Sequence, residues 1–247
     1  MYKPNLFPLR RFLTASKDPT HPGRHSDRGL TLIEGLVAIL IVSAVTTAIT
    51  PMIFLSVATR IQNRRAEQAI QLAHGQIDEV RVLVERGIGD EEEIAQLPRL
   101  VEGDITAREV GPPDSEFNRL LSTNFDCSQP FELGNVSEDQ AFRVDVNGDC
   151  ETDFFVQTFR TRQVTVSRND VDEPIPIIFE MGVRVYYRNA DFGNLETEEA
   201  SLVMTSGEGQ QTTRPLATLY TVMSQGDTGI SLRSYQCFVD PSQEGCN

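Results

Sequence analysis

Residues 28–59 read RGLTLIEGLVAILIVSAVTTAITPMIFLSVAT, and this stretch decides how the fold begins. Its last 25 residues, from Gly35 to Thr59, contain no charged side chain. As a helix that rises about 1.5 Å per residue, they reach roughly 37 Å. Because this length exceeds the roughly 30 Å hydrocarbon core of a bilayer, the run predicts a transmembrane helix.

Charge is distributed unevenly around this run. The 247 residues include 22 Lys or Arg and 36 Asp or Glu, a formal net charge of −14. Residues 1–29 carry six basic and two acidic side chains, a net charge of +4, which leaves −18 for residues 30–247. A basic leader before an apolar helix predicts a cytoplasmic N-terminus and an exported acidic body. Arg60, Arg64 and Arg65 follow the run and weaken this orientation signal.

The composition argues against several classes of function. An acidic body does not neutralise nucleic-acid phosphates, so no nucleic-acid partner is expected. Three histidines, His21, His25 and His74, are too few for a His-rich zinc site. Nucleophile motifs and phosphate-binding glycine loops are missing, and no spacing singles out a pair of catalytic carboxylates. The sequence therefore predicts a protein that is not an enzyme.

A single carboxylate, Glu34, stands at the entrance of the apolar run. Such a charge is costly unless it meets a cation, and Arg28 is one candidate. Cleavage between Gly29 and Leu30 would supply another, because the new α-amino group would precede Glu34 by four residues, about one helical turn. The amine of an axially shifted neighbouring subunit is a third, and pairing with it would fix the stagger between helices. Taken alone, Glu34 also fits an acid that favours the helix macrodipole.

The string Gly29-Leu30-Thr31-Leu32-Ile33-Glu34, followed by an uncharged helix, resembles the type III signal of type IV prepilins and pseudopilins. The resemblance implies cleavage after Gly29 by a prepilin peptidase, N-methylation of Leu30, and Glu34 as the assembly glutamate. Pro51 matches a helix-kinking proline of the family. Two departures are Leu30 in place of the commoner phenylalanine and a leader that is long for the family. A cleaved secretory signal peptide is the alternative, with Ser56 and Ala58 as its cleavage pattern. The apolar run of such signal peptides is usually about 7–15 residues, shorter than the 25 uncharged residues of this chain.

The same resemblance implies a pseudopilin or minor pilin that assembles into a type IV pilus or type II secretion-like filament. Its expected partners are the prepilin peptidase, other pilin or pseudopilin subunits, the inner-membrane assembly platform and the membrane. The chain would cross the inner membrane once, with its leader in the cytoplasm and its C-terminal domain in the periplasm or cell exterior. The contiguous run 50–69 also resembles cyanobacterial pseudopilins of hormogonium polysaccharide secretion. A membrane-anchored extracytoplasmic binding module or enzyme is the alternative function.

The remaining chain predicts an α+β fold with a long N-terminal helix packed on an antiparallel β-sheet. We expect a leader (1–29), a transmembrane helix (30–59), an exterior amphipathic helix (60–87), an irregular connecting region (88–140) and a sheet domain (141–247). The amphipathic helix shows apolar residues at intervals of three and four, and Gly87 and Gly89 predict its end. Alternating or β-branched residues predict strands at 142–146, 154–166, 177–187, 201–204 and 216–223.

Four cysteines, Cys127, Cys150, Cys237 and Cys246, form an even set that suits an oxidising compartment. Of the three connectivities, Cys127–Cys150 with Cys237–Cys246 has the smallest loop-closure cost. The second bridge would close the C-terminal tail, as similar loops do in many pilins. Four free or buried thiols are the alternative.

One loop leaves two interpretations open. Asp145, Asn147, Asp149 and Asp153 offer oxygens at positions 1, 3, 5 and 9, as in a calcium loop. Cys150 stands where such loops usually place a glycine, and the distant bidentate glutamate is missing. Asn147-Gly148 between apolar residues equally predicts a hairpin turn. Apart from calcium, no cofactor is expected.

Overall fold

The computed structural model describes residues 31–167, 174–201, 210–226, 228–240 and 242. The chain divides between Met52 and Ile53 into two compact units. The described part of the first unit consists of Thr31 and the first half of helix α1 (Leu32–Arg86). The second unit contains the rest of α1 and a five-stranded sheet.

The second half of α1 is amphipathic, as the spacing of its apolar residues predicts. Six of them, at intervals of three or four, are buried: Ala66, Ala69, Ala73, Ile77, Val80 and Val84. From Ala69 onward they belong to the main hydrophobic core, which also contains one face of the sheet. The helix ends at Arg86, because Gly87 adopts a left-handed φ of +93° and its N–H bonds the carbonyl oxygen of Val84 at 3.2 Å.

The strands follow one another across the sheet in chain order. They are β1 (Ser115–Ser122), β2 (Gln140–Asp145), β3 (Phe154–Val166), β4 (Ile175–Tyr187) and β5 (Ala217–Ser224). Strands β2 to β5 pair antiparallel, whereas β1 pairs parallel with β2. The predicted α+β fold, a long N-terminal helix followed by a mostly antiparallel sheet, is therefore confirmed.

The two faces of the sheet have different coverings. Val156 lies opposite Val185 in the β3–β4 ladder, and both belong to the core that α1 covers. Alternate residues point to opposite faces, so Phe159 and its partner Gly182 lie on the other face. There Phe159 packs with Ala107, Val110 and partly buried neighbours from the segment after α2 (Glu91–Ala95).

Arg184 is fully buried on this second face and fastens the covering segment to the sheet. Its guanidinium donates to the carbonyl oxygens of Ala107, Val110 and Gly111, to Gln157 Oε1 and to the Tyr220 hydroxyl, at 2.8–3.2 Å. It also lies 5.0 Å from the ring centroid of Phe159. Neutral acceptors thus satisfy the buried cation, which offsets part of its desolvation cost.

Gly182 is required by the close approach of Phe159. A β-carbon at this position would overlap the Phe159 ring, which is completely buried and has little room to move. We expect Gly182→Ala to destabilise the fold by about 1–3 kcal/mol. Thermal unfolding of the full-length chain in detergent, followed by near-ultraviolet circular dichroism, measures this effect as a lower Tm.

Gly75→Ala is the matched control for this substitution. Gly75 lies inside α1, and no atom is within 4 Å of an added β-carbon. Because alanine has a higher helix propensity, we expect a stabilisation of about 0.5–1 kcal/mol and hence a raised Tm. Equal shifts of the two Tm values would contradict the packing argument at Gly182.

The region 88–140, expected to be irregular, contains a strand as well as α2. Strand β1 lies at the sheet edge, where Glu116, Asn118 and Arg119 are exposed and only Leu120 is buried. Its sequence therefore lacks the alternation of apolar and polar residues by which the other strands were predicted. A register shift between Phe117 and Leu120 interrupts its pairing with β2. Because the apolar residues of β1 are few and irregularly spaced, they do not predict a strand.

The C-terminal part also differs from the prediction. Helix α3 (Thr228–Val239) lies where only a tail was expected. Its Phe238 is buried beneath the Arg162 guanidinium, 4.9 Å from the ring centroid. The strand predicted at 201–204 falls mostly outside the described residues, and Ser201 itself is irregular.

Candidate functional site

The described chain begins at the N-terminal end of α1. Thr31 precedes the first helical residue, and its hydroxyl accepts a hydrogen bond from the backbone N–H of Glu34 at 3.3 Å. The carbonyl oxygen of Thr31 accepts the N–H of Gly35 at 3.1 Å. Thr31 is therefore the N-cap of the helix. Glu34 lies in the first turn with an exposed side chain.

Thr31 is a further residue of this site, and the reasoning from the charges of Glu34 and the basic leader did not identify it. Its signal in the sequence is the spacing of Thr31 and Glu34, the Thr-x-x-Glu pattern of a capping box. The cap starts the helix at a defined residue, Leu32, two positions after Leu30 in the sequence. Glu34 therefore lies in the first turn of a helix whose start is set by Thr31.

The apolar side chains of the first half of α1 are exposed on every side. Ile39, Leu40, Ile41 and Val42 are exposed by 58–70%. Because consecutive helical residues point about 100° apart, these four already surround the axis. None of the residues in the most apolar 18-residue window of α1 is buried, and α1 is long and apolar enough to cross a membrane. Such a surface requires lipid or neighbouring helices to cover it.

Four hydroxyl groups inside the span are satisfied within the helix. The hydroxyls of Ser43, Thr46, Thr47 and Thr50 donate to the carbonyl oxygens four residues earlier at 2.6–2.7 Å. Hydroxyls bonded in this way suit an apolar environment, where an unpaired polar group is costly. Helix α1 continues through Pro51, which has no N–H for the carbonyl of Thr47. The kink at Pro51 remains a prediction.

Residues 24–50 match the family model of the prokaryotic N-terminal methylation motif. The matched segment begins inside the basic leader, contains Gly29, Leu30 and Glu34, and ends immediately before Pro51. The chain carries a type IV pilin-like prepilin signal. No curated protein and no solved structure matches the chain.

The structure describes this prepilin signal from Thr31 onward. Gly29 and Leu30, the predicted cleavage and methylation residues, lie outside the described residues, as does Arg28. Glu34 lies inside them, and its exposed carboxylate is open to an amine from another chain. Cleavage, methylation and assembly therefore remain predictions for these residues.

A disulfide joins Cys127 and Cys150, with Cα atoms 5.8 Å apart. It connects the segment after β1 to the turn between β2 and β3, as one of the predicted pairings requires. Cys237 in α3 is also disulfide-bonded, and no free cysteine occurs among the described residues. Cys246 lies outside those residues, so the Cys237–Cys246 pairing stays a prediction.

The turn beside this disulfide is organised by the Asp145 carboxylate, which is 1% exposed. Its Oδ1 accepts the N–H groups of Asn147 at 3.1 Å and Gly148 at 2.7 Å. Its Oδ2 accepts the Cys150 N–H at 2.8 Å and the Ser122 hydroxyl at 2.7 Å. Burial, the largest single influence, raises the pKa of Asp145, but these four hydrogen bonds together outweigh it and hold the pKa below its usual value.

The other oxygens proposed for calcium are also acceptors within this turn. Asn147, Asp149 and Asp153 accept the N–H groups of Asp149, Glu151 and Val146 at 2.9, 2.9 and 3.0 Å. These hydrogen bonds hold the backbone of the turn between the antiparallel strands β2 and β3.

Calcium binding by this loop stays a prediction. Among the acidic, cysteine and histidine side chains that the structure describes, one group of three has its ligand atoms within 4.8 Å of one another. It consists of Asp145 and the two sulfurs of the Cys127–Cys150 disulfide, which are not thiolates. Titration calorimetry of the full-length chain tests calcium binding directly, and heat of binding at millimolar Ca²⁺ would support it.

We expect Asp145→Asn to destabilise the fold by about 2–3 kcal/mol, because an amide cannot accept all four hydrogen bonds. Because the pKa of Asp145 is lower in the folded than in the unfolded state, its ionised carboxylate stabilises the fold. This stabilisation is complete at pH values above the unfolded-state pKa of 3.8 and is lost as the pH falls through the folded-state pKa. The substitution should therefore reduce the loss of stability below about pH 4. Denaturant unfolding between pH 2 and pH 7 measures both effects, with exposed Asp149→Asn as control.

Proposed function

We propose that this chain is a pseudopilin or minor pilin subunit of a type IV pilus or type II secretion-like filament. The match of residues 24–50 to the N-terminal methylation motif carries this proposal. It is supported by a helix that exposes apolar side chains on all sides and then packs against an α+β domain. The role is structural, since the helix supplies the surface through which subunits pack.

Processing precedes assembly in this proposal. A prepilin peptidase cleaves after Gly29, and the new N-terminal residue, Leu30, is N-methylated. The exposed carboxylate of Glu34 then pairs with the α-amino group of a neighbouring subunit. Because an unpaired charge among apolar helices is costly, this pairing selects one axial stagger.

The proposed location follows from the basic leader and the span. The leader stays in the cytoplasm, α1 crosses the inner membrane once, and the acidic domain lies in the periplasm or outside the cell. The disulfides suit that oxidising side. The partners are the prepilin peptidase, further pilin or pseudopilin subunits, the inner-membrane assembly platform and the membrane. The resemblance of residues 50–69 to hormogonium pseudopilins makes polysaccharide secretion the proposed pathway.

Co-expression with a prepilin peptidase in a heterologous host tests the proposal. The membrane-bound chain should shorten by the length of its leader only when the active peptidase is present. A chain that is retained in the membrane but keeps its leader would contradict the proposal. Shortening with a catalytically inactive peptidase would indicate another protease.

A further inference from the structure

A shallow strip of polar side chains lies along α1 at the end of the uncharged run. It is lined by Ser56, Thr59, Arg60, Asn63, Arg64 and Glu67, all in the second unit. Arg60 directly follows the uncharged run, and Arg64 lies about one helical turn further. Both arginines are exposed, so their guanidinium groups are presented on one face of the helix.

In the part of the chain that the structure describes, Arg60 and Arg64 differ from Arg65 and Arg81 because they have no internal partner. Within the described ranges, neither Arg60 nor Arg64 forms a hydrogen bond or ion pair. The adjacent Arg65 instead lies 4.3 Å from the ring centroid of Tyr187. Arg81, further along α1, pairs with Asp78 at 2.7 Å. Among the described residues, Arg60 and Arg64 are thus two exposed cations one helical turn apart that can bind an external anion, with Glu67 as the one carboxylate on the strip.

The position of the strip indicates which anion it meets. The run from Gly35 to Thr59 reaches roughly 37 Å, slightly more than the roughly 30 Å hydrocarbon core, so the next residues emerge among the lipid headgroups. A guanidinium group binds phosphate oxygens in a bidentate manner. The Asn63 amide on the same strip can donate a further hydrogen bond.

We propose that Arg60 and Arg64 bind the phosphate of an anionic phospholipid headgroup in the leaflet where α1 leaves the membrane. This inference rests on the proposed membrane anchorage. Headgroup binding sets the depth of the span in the bilayer and opposes its withdrawal into a filament. As an exposed electrostatic contact, it weakens with increasing salt.

Native mass spectrometry of the full-length chain in detergent micelles tests the strip, with phosphatidylglycerol and phosphatidylcholine as probes. The unsubstituted chain should bind phosphatidylglycerol more tightly than phosphatidylcholine. Each arginine near a charged headgroup contributes about fivefold in affinity, so Arg60→Gln with Arg64→Gln should weaken phosphatidylglycerol binding by about 25-fold. The control, Arg81→Gln with Arg86→Gln, makes the same charge change at the other end of α1 and should leave binding unchanged.

Three results would overturn the inference. The first is equal affinity of the unsubstituted chain for both lipids, and the second is undiminished phosphatidylglycerol binding by the Arg60/Arg64 variant. The third is displacement of the lipid by inorganic phosphate, which would assign the strip to free phosphate. Cross-links from this strip to acidic residues of a second copy, without a lipid preference, would assign it to subunit contacts. A chain that is not retained in membranes at all would instead contradict the proposed function.

Discussion

Gly29→Ala is expected to leave the chain as an uncleaved precursor in the membrane. Gly29 lies inside the segment that matches the N-terminal methylation motif, directly before the proposed scissile bond. A methyl group at this position should prevent the peptidase from accepting the backbone, because glycine alone has no β-carbon. Immunoblotting of membranes from cells that express the peptidase would show almost all of the chain at precursor length.

Gly35→Ala provides the matched control for this experiment. Gly35 lies in the same matched segment, and no atom lies within 4 Å of an added β-carbon. This variant should be cleaved as efficiently as the unsubstituted chain. Full-length Gly29→Ala protein assembled in filaments would contradict the proposed processing step.

Glu34→Ala is expected to separate assembly from processing. The variant should be cleaved after Gly29, because the bond and the residues beside it are unchanged. It should fail to enter filaments, because the amine of the neighbouring subunit would then remain unpaired among apolar helices. Removing one partner of a buried ion pair costs about 3–5 kcal/mol, which corresponds to a loss of more than about a hundredfold in incorporation.

Incorporation is measured as the fraction of processed subunit in sheared filaments or cross-linked assemblies. Glu34→Gln should behave like Glu34→Ala, since it keeps the side-chain size but removes the charge. Glu85→Ala removes an exposed carboxylate from the same helix, outside the span and outside the arginine strip, and should assemble normally. Normal assembly of both Glu34 variants would show that the charge does not select the stagger.

Regular hydrophobic patterns allowed the sequence to predict the central elements of the fold. Strand β3 has the predicted bounds, 154–166, and β4 begins two residues before its predicted start at Ile177. The apolar stripe of α1 and its end before Gly87 are also confirmed. These elements contribute most of the core, and burial is what creates a visible period in the sequence.

Elements that depend on tertiary contacts were not predictable in this way. Strand β1 lies at a polar sheet edge, and α3 contains β-branched and glycine residues that lower its helix propensity. Phe238 nevertheless packs beneath Arg162, and the Arg162 guanidinium also donates to its carbonyl oxygen at 3.2 Å. Such contacts join residues 76 positions apart, and no local pattern reports them.

The candidate site shows the same division. The order of Gly29, Leu30 and Glu34 is local, so the prepilin signal was predictable from adjacent residues. The hydrogen bonds that occupy Asp145 come from β1 as well as from its own turn, and their effect on the loop required the structure. Likewise, Arg60, Arg64 and Arg65 look alike in the sequence, whereas the structure places Arg65 against the Tyr187 ring and gives Arg60 and Arg64 no partner among the described residues.

Mass spectrometry of the N-terminal peptide from the mature cellular protein tests the central proposal most directly. We predict a peptide that begins at Leu30 and carries one methyl group on its α-amine. A protein that begins at Met1, or at Thr59 after cleavage by a signal peptidase, would contradict the assignment of this chain to pilus-type subunits.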